Sequence, residues 1–365
     1  MKAYIADQIF TGEKWLEHHA VITDDETIID VIPVAALSSN IPVTEFKDCL
    51  LAPAFIDLQI YGANGKLLAV FPETKSLHQL HDHCRNSGTA YCLPTVATNT
   101  KEVFFRSIDA IKKYWGDGGE GITGLHIEGP WISKEKKGAH IESLIHAPTF
   151  AEVEELMIYG KGVIKMITLA PETCSNEVIG CILSHNVIIS AGHSNASYEQ
   201  ALQGFDKGIT AVTHLYNAMS GLNHRQPGLV GAVFDNQNVM ASIIPDGHHV
   251  DYVAIRIAKK IMGDRLFAIT DAVTETNEGY YQHQLAGDKY EAAGILSGSA
   301  LTMNKALQNL VDHAGIERGE AIRMCSLYPA RVLRMENDLG KIQKGFETNM
   351  IVLNEKLQVL RMISK

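Results

Sequence analysis

The chain has 365 residues, of which 46% are hydrophobic and 20% are charged, so global disorder, collagen and coiled coil are excluded. The 42 acidic residues outnumber the 32 basic ones, and the net charge of −10 ranks nucleic-acid binding low, because proteins that neutralise phosphates are usually basic. The length allows one large domain with a small one, or two domains of equal size.

Both ends of the chain have the pattern of β-structure. Residues 1–50 alternate short strands with turns, and residues 340–365 show the same alternation without a long helix. We interpret residues 1–51 and 340–365 as one small β domain. Between them, short runs rich in Ile and Val are typical of buried parallel strands. Eight such strands are predicted, at 52–60, 89–93, 122–127, 163–169, 187–191, 209–213, 239–244 and 266–270.

Helical periodicity fills the gaps between these strands. Mostly apolar residues three and four positions apart mark one face of each predicted helix. The clearest are Leu77, Leu80, His81 and Cys84, then Phe104, Ile108, Ile111 and Trp115, then Tyr198, Ala201, Leu202 and Phe205, and finally Ala254, Ile257 and Ile261. Alternation of strands and helices over residues 52–339 predicts an α/β fold, a TIM-like (β/α)8 barrel, with a doubly wound open sheet as the alternative.

Four residues with metal-binding or proton-transfer chemistry follow four different strands of this barrel. Glu128 ends strand three, His193 and His214 follow strands five and six, and Asp271 follows strand eight. The C-terminal strand ends of a barrel form one rim, where active sites lie. Glu with two His is a ligand set of catalytic zinc sites that leaves one position open, and Asp can move a proton. Each residue alone also has a structural interpretation, so the prediction rests on their joint placement.

No segment approaches the roughly 18–20 apolar residues that a membrane span requires, and the N-terminus lacks the pattern of a signal peptide. The six cysteines include no CxxC pair, which favours free thiols in a reducing compartment. We therefore expect a cytoplasmic protein that contacts neither membrane nor nucleic acid.

Longer motifs indicate a family. The segments HIEGP at 126–130 and THLYNAM at 213–219 are the most specific. Other segments follow in order, at 52–59, 93–95, 137–140, 169–172, 191–194, 246–251, 270–272 and 296–299. Through them the chain resembles the N-acetylglucosamine-6-phosphate deacetylases, a family within the amidohydrolase superfamily.

The resemblance implies roles for individual residues. Glu128, His193 and His214 would bind one divalent metal ion per subunit, with zinc expected first and iron, manganese or cobalt as alternatives. Asp271 would act as general base and acid, and His140 would contact the acetyl group or sugar and stabilise the developing oxyanion. The implied substrate-binding residues are Ala139, Asn217, Ala218, Arg225, His249, Leu301, Thr302 and Met303.

The resemblance also implies a homodimer, in which the phosphate ligands Arg225 and His249 can come from the neighbouring subunit. The sequence departs from the superfamily after strand one, where many members carry His-x-His and this chain has Asp57-Leu58-Gln59. Because an amide is a poor ligand beside imidazole, a second metal ion is not expected. His248 stands where a more apolar residue is expected, and it is predicted to alter the pocket wall.

The implied activity is removal of the acetyl group from N-acetylglucosamine 6-phosphate, which yields glucosamine 6-phosphate and acetate in amino-sugar catabolism. The alternative is another amidohydrolase that acts on a different N-acyl or cyclic amide substrate. A non-catalytic barrel is a third interpretation, and it ranks low because the expected metal-binding residues are all present.

Overall fold

The computed structural model describes residues 1–24, 26–292 and 294–364. The chain divides into two compact units. The first contains residues 1–57, 84–91 and 302–365, and the second contains residues 58–83 and 92–301. The predicted domain bounds, 1–51 with 340–365 and 52–339, stay a prediction.

The strands of the described residues are numbered in chain order. They are β1 Lys2–Phe10, β2 Trp15–Leu16, β3 His19–Thr23, β4 Ile28–Pro33, β5 Val43–Pro53, β6 Phe55–Ile60, β7 Gly62–Ala63, β8 Lys66–Leu67, β9 Thr89–Ala97, β10 Leu125–Glu128, β11 Ile164–Leu169, β12 Ile188–Ala191, β13 Ala211–Val212, β14 Met240–Ile243, β15 Leu266–Ala268, β16 Gln284–Ala286, β17 Lys289–Ala292, β18 Ile295–Ser299, β19 Met350–Asn354 and β20 Val359–Ile363.

The α-helices are numbered in the same way. They are α1 Thr74–Asn86, α2 Lys101–Gly116, α3 Phe150–Tyr159, α4 Asn176–Ser184, α5 Tyr198–Asp206, α6 Gly228–Asp235, α7 Tyr252–Met262, α8 Met303–Asp312, α9 Arg318–Cys325 and α10 Leu327–Leu333. No helix of the described residues has the length and hydropathy of a membrane span.

The first unit contains a seven-stranded sheet built from both ends of the chain. β1 pairs in parallel with β5, and β5 pairs antiparallel with β19 from the C-terminal end. Ile9, Val21, Leu51 and Val352 are buried in its core. The prediction that the two termini jointly form a small β domain is therefore confirmed.

The eight-stranded sheet of the structure is the predicted barrel. Its strands follow in the order β6, β9, β10, β11, β12, β13, β14 and β15. A parallel bridge between Ile60 and Ala272 links the end of the first strand to the segment after the eighth, so the sheet closes on itself. The barrel is confirmed and the open sheet is wrong. The first strand begins at Phe55, because residues 52 and 53 belong to β5.

The predicted helices are present as α1, α2, α5 and α7, but one buried face was misassigned. On α7, Ile257 and Ile261 are 49% and 45% exposed, whereas Ile255 and Ala258 are fully buried. This helix has two apolar stripes, and periodicity alone does not show which of them faces inward.

A three-stranded sheet, β16 to β18, follows the eighth barrel strand and was not predicted. Its strands are short and carry exposed apolar residues such as Leu285 and Ile295. They therefore lack the alternation of buried and exposed positions that identifies a strand in a sequence.

Candidate active site

The structure brings the four strand-end residues together at one end of the barrel. The Nε2 atoms of His214 and His193 lie 3.2 and 3.4 Å from Oε1 of Glu128, and 3.1 Å from each other. Asp271 lies beside them and is also buried. The ligand atoms of Glu128, His140 and His193 lie within 4.8 Å of one another, so His140 belongs to the same cluster.

The backbone at these positions is unusual. His193, His214 and Asp271 have φ values of 47°, 36° and 53°, in the left-handed region that non-glycine residues seldom adopt. Tertiary hydrogen bonds hold it there: the amide of His214 donates to Ser242 Oγ at 2.8 Å, and the amide of Asp271 donates to the carbonyl of Gln59 at 2.9 Å. Strain of this kind concentrates at functional sites, where it fixes side-chain direction.

The donor atoms of the cluster fit a divalent cation. His193 Nδ1 lies 2.9 Å from the carbonyl of Lys136 and therefore carries the proton, which leaves the Nε2 lone pair directed at Glu128 and His214. His214 also turns Nε2 toward the carboxylate. Two imidazole nitrogens and a carboxylate oxygen converging on one point are the donor set of a catalytic zinc-type site.

Glu128 is the centre of the electrostatics. Burial alone raises the pKa of its carboxyl group, but the neighbouring imidazoles of His140, His193 and His214 outweigh burial and hold the pKa well below its usual value. The group is therefore an anion at neutral pH. Tyr61 Oη donates to its Oε2 at 2.5 Å.

His140 has both ring nitrogens in contact with polar groups. Nδ1 lies 2.7 Å from Thr98 Oγ1, and Nε2 lies 3.1 Å from Glu128 Oε2. Burial and the neighbouring His193 lower the pKa of His140 to about 4. The neutral ring accepts a hydrogen bond from the Thr98 hydroxyl group at Nδ1 and donates one from Nε2 to Glu128.

Gln59 lies between the two carboxylates. Its amide nitrogen donates to Glu128 Oε1 at 2.9 Å and to Asp271 Oδ1 at 2.7 Å, and it lies 2.8 Å from Tyr61 Oη. In this position the amide acts as a donor to anions. From the sequence, Gln59 was expected only to be a poor metal ligand.

Tyr61 is a site residue that sequence reasoning missed. Its phenol lies 3.3 Å from Asp271 Oδ1, besides its bond to Glu128. Burial, followed by the charges of Asp271 and Glu128, raises its pKa well above the usual value, so the phenol stays protonated. A signal was available, since Tyr61 follows Gln59 by two residues and strand side chains alternate with a period of two.

One cavity of about 220 Å³ contains the cluster and half of the predicted substrate-binding residues. The predicted residues that line it are Glu128, Ala139, His140, His193, His214, Asn217, Ala218, His249 and Asp271. Its other lining residues, which were not predicted, are Tyr61, Gly138, Ile244, Leu296, Ser297 and Gly298.

The remaining predicted residues lie elsewhere. Arg225 is exposed in the loop after β13, and Leu301 is buried; neither is among the lining residues of this cavity. Thr302 accepts a hydrogen bond from the amide of Lys305 as the N-cap of α8, and Met303 is the first residue of that helix.

The loop after β14 holds two histidines in different ways. Asp246 Oδ2 lies 2.6 Å from His249 Nδ1, and Oδ1 accepts the backbone amides of His248 and His249. Burial alone raises the pKa of Asp246, but its bonds to His249 outweigh burial and lower it. His249 is thereby oriented on the cavity wall. His248 instead lies 2.7 Å from Asp288 and is not among the residues that line the described cavity, and its effect on the pocket wall stays a prediction.

Known protein families and known relatives match this chain over nearly its whole length. Residues 50–364 match the amidohydrolase family, and residues 1–47 match the NagA composite domain. The chain is 35% identical to the N-acetylglucosamine-6-phosphate deacetylase of Haemophilus influenzae, over 96% of this chain and 95% of the relative. It is 31% identical to the N-acetylgalactosamine-6-phosphate deacetylase of Escherichia coli O157:H7, over 97% of this chain and 95% of the relative.

A solved structure shows the same fold. The N-acetylglucosamine-6-phosphate deacetylase from Pasteurella multocida superposes with a TM-score of 0.94 at 32% identity, covering 99% of this chain and 97% of the other. The match extends over the barrel and over both chain ends. Together with the metal-binding geometry at the barrel rim, these likenesses show that the chain belongs to the amidohydrolase family.

Proposed function

We propose that this protein hydrolyses the acetyl amide of N-acetylglucosamine 6-phosphate to glucosamine 6-phosphate and acetate, as an enzyme of amino-sugar catabolism in the cytoplasm. The observation that carries the proposal is the convergence of Glu128, His193 and His214 beside Asp271 in one cavity. The resemblance to deacetylases along the whole chain supports the choice of substrate. An amidohydrolase acting on an unrelated amide has no comparable support.

Glu128, His193 and His214 hold one divalent ion in this proposal, and zinc is the first expectation, before iron, manganese or cobalt. When bound, such an ion polarises a carbonyl and lowers the pKa of water. Asp271 takes the proton from the attacking water and delivers it to the departing amine nitrogen. His140 donates from Nε2 to the acetyl oxygen as negative charge develops there. Gln59 and Tyr61 keep the two carboxylates apart and oriented.

The proposed activity is tested by acetate release from N-acetylglucosamine 6-phosphate in the presence of added divalent metal ions. N-acetylgalactosamine 6-phosphate is the second substrate to be measured, because one relative is named for it. Unphosphorylated N-acetylglucosamine is the third. A higher kcat/KM for N-acetylgalactosamine 6-phosphate would identify that sugar as the preferred substrate. Equal turnover of the phosphorylated and unphosphorylated sugars would contradict the proposal.

We expect one metal ion per chain in protein purified with its native metal. The amide nitrogen of Gln59 donates hydrogen bonds to Glu128 and Asp271. Its N–H groups therefore point to the place where a second cation would need a lone pair as a ligand. Elemental analysis of the purified protein measures the stoichiometry. Two tightly held ions per chain would show that Gln59 does not prevent a second site.

The proposed phosphate ligands are Arg225 and His249, supplied across a homodimer. Arg225 is exposed and does not line the cavity of its own chain, which favours its use by a neighbouring copy. The outer stripe of α7 gives that copy an apolar surface, because Val253, Ile257 and Ile261 are each about half exposed. The molar mass from light scattering tests the dimer.

We also propose two domains. Residues 1–51 and 340–365 form the small β domain, and residues 52–339 form the catalytic barrel domain.

Replacing Arg225 with alanine is expected to lower kcat/KM for the phosphorylated sugar by roughly 10- to 150-fold. A hydrogen bond to a charged group contributes on the order of 1.5–3 kcal/mol, and 1.36 kcal/mol corresponds to tenfold. Arg106→Ala on α2, also exposed, is the matched control and is expected to leave the rate unchanged. If Arg225→Ala reduces turnover of the phosphorylated and the unphosphorylated sugar equally, the residue supports structure and does not bind the phosphate.

A further inference from the structure

A second, smaller cavity adjoins the one that contains the candidate metal ligands. Its volume is about 50 Å³. Because one water-sized group needs about 10–15 Å³ by this measure, the cavity has room for roughly three or four non-hydrogen atoms. The two cavities share the lining residues Tyr61, Glu128, Ala139, His140 and Ser297.

The walls of this second cavity are mostly apolar. Leu67, Ala97, Val273 and Tyr281 form a buried hydrophobic cluster there, and Ala69 adds a small side chain to the lining. By contrast, the first cavity presents Asn217, His249 and Asp271. The polar space suits a sugar phosphate, and the apolar space suits a hydrocarbon chain.

Three polar side chains in the wall of the second cavity form hydrogen bonds within the protein. Tyr281 Oη donates to the carbonyl of Thr98 at 2.8 Å, and His283 Nδ1 lies 2.8 Å from Ser297 Oγ. The two rings are parallel, at an interplanar angle of 8°. Burial lowers the pKa of His283 to about 4 and raises that of Tyr281, so both rings are uncharged at neutral pH. These two uncharged rings and the apolar side chains beside them favour an alkyl group in the part of the cavity away from Glu128.

The arrangement defines a direction for the substrate. Glu128 and His140 lie where the two cavities meet, so the acyl carbon that is attacked lies at this junction in the proposed reaction. The amine side, with its sugar, extends past Asp271 into the larger cavity. The substituent on the acyl carbon then points into the smaller one, where an acetyl methyl group fills about one of the three or four positions.

We propose that the cavity lined by Leu67, Ala69, Ala97, Val273 and Tyr281 is an acyl pocket that admits chains longer than acetyl, so that the enzyme also hydrolyses N-propionyl and N-butyryl glucosamine 6-phosphate. The inference rests on the proposed deacetylase function. The chemistry is the same hydrolysis: the water oxygen bonds to the acyl carbon, the carbon–nitrogen bond breaks, and the proton goes to the amine. The released acid is propionate or butyrate.

The test compares kcat/KM for N-acetyl, N-propionyl, N-butyryl and N-octanoyl glucosamine 6-phosphate. We expect the propionyl and butyryl compounds to react within about tenfold of the acetyl compound, because each additional buried methylene contributes up to about fourfold in binding. The octanoyl chain exceeds the pocket, and we expect its rate to fall at least about 100-fold. A loss of that size already at propionyl would overturn the inference.

Variants assign the effect to this pocket. Ala69→Leu fills part of it and is expected to lower the ratio of butyryl to acetyl turnover at least about tenfold, because the longer chain needs the space that leucine takes. Ala286→Leu on β16 is the matched control outside the pocket, and it is expected to change neither rate. Leu67→Ala enlarges the pocket and is expected to raise octanoyl turnover relative to acetyl, which gives a second result if Ala69→Leu does not fold. Butyryl and octanoyl rates that follow the acetyl rate in both pocket variants would overturn the assignment.

The outcomes separate this inference from the function on which it rests. If the acetyl compound is not hydrolysed either, the proposed deacetylase function fails. If the acetyl compound is hydrolysed and the propionyl compound is not, only the acyl pocket fails.

Discussion

Replacing Asp271 with asparagine is expected to lower kcat by roughly 10²- to 10⁴-fold, the usual contribution of a general acid–base group. Asparagine has nearly the same shape and can keep accepting the Gln59 hydrogen bond at its Oδ1 atom. It also tolerates the left-handed backbone at this position, where φ is 53°. The variant therefore removes the proposed proton-transfer carboxylate, and the fold is expected to be unchanged.

The measurement is kcat for acetate release together with metal content. Metal content is expected to be unchanged, since Asp271 is not among the proposed ligands. Asp235→Asn is the control, because that carboxylate is exposed and accepts a hydrogen bond from Tyr198 away from the cavity. A variant at position 271 that keeps kcat within a few-fold of the parent would show that another group moves the proton.

Replacing Glu128 with glutamine is expected to remove both metal and activity. The carboxylate accepts hydrogen bonds from Gln59 and Tyr61 and faces the Nε2 atoms of His193 and His214. In the proposed site its negative charge therefore attracts the cation that the two imidazoles also bind. Even partners of metal ligands contribute about 10- to 100-fold to metal affinity, and the loss of a ligand should exceed that. Activity should fall by at least about 100-fold, because the several kcal/mol supplied by a metal ion depend on its being bound.

Metal content by elemental analysis and kcat at saturating added metal are measured together. Glu152→Gln is the matched control, since this carboxylate lies 2.9 Å from His146 Nε2 outside the cavity. The control should retain the metal and the activity. A Glu128→Gln protein that retains one ion per chain would remove Glu128 from the ligand set. The pair of variants at 128 and 271 thus separates metal binding from proton transfer.

The order of strands and helices was predictable because each barrel strand and helix is determined by residues that are close together in the sequence. Buried parallel strands are short apolar runs, and the turns between them are marked by glycine, as at Gly88 after α1, where φ is 83°. The rim residues were predictable for the same reason, since Glu128 and Asp271 directly follow such runs and His193 follows one after a single glycine. Once a barrel is inferred, the ends of its strands meet on one face.

Other features depend on contacts between residues far apart in the chain. Tyr61 and Gln59 are bonded to Glu128 and Asp271, which lie 67 to 212 positions away, and no local pattern encodes those bonds. The inward face of α7 was likewise decided by packing, because two apolar stripes compete on it. The sheet from β16 to β18 has too little buried surface to be recognised locally, yet it places Ser297 and Gly298 on the cavity wall.

The sequence by itself determined the barrel, the joint β domain of the termini, and the residue types that converge on the rim. Only the tertiary structure decided how those residues meet: His140 joins the candidate metal-binding cluster, Gln59 lies between two carboxylates as a donor, and Arg225 lies outside the cavity of its own chain. The physical reason is that strand and helix formation depends on neighbours along the chain. Hydrogen bonds, burial and the resulting pKa shifts depend on neighbours in space.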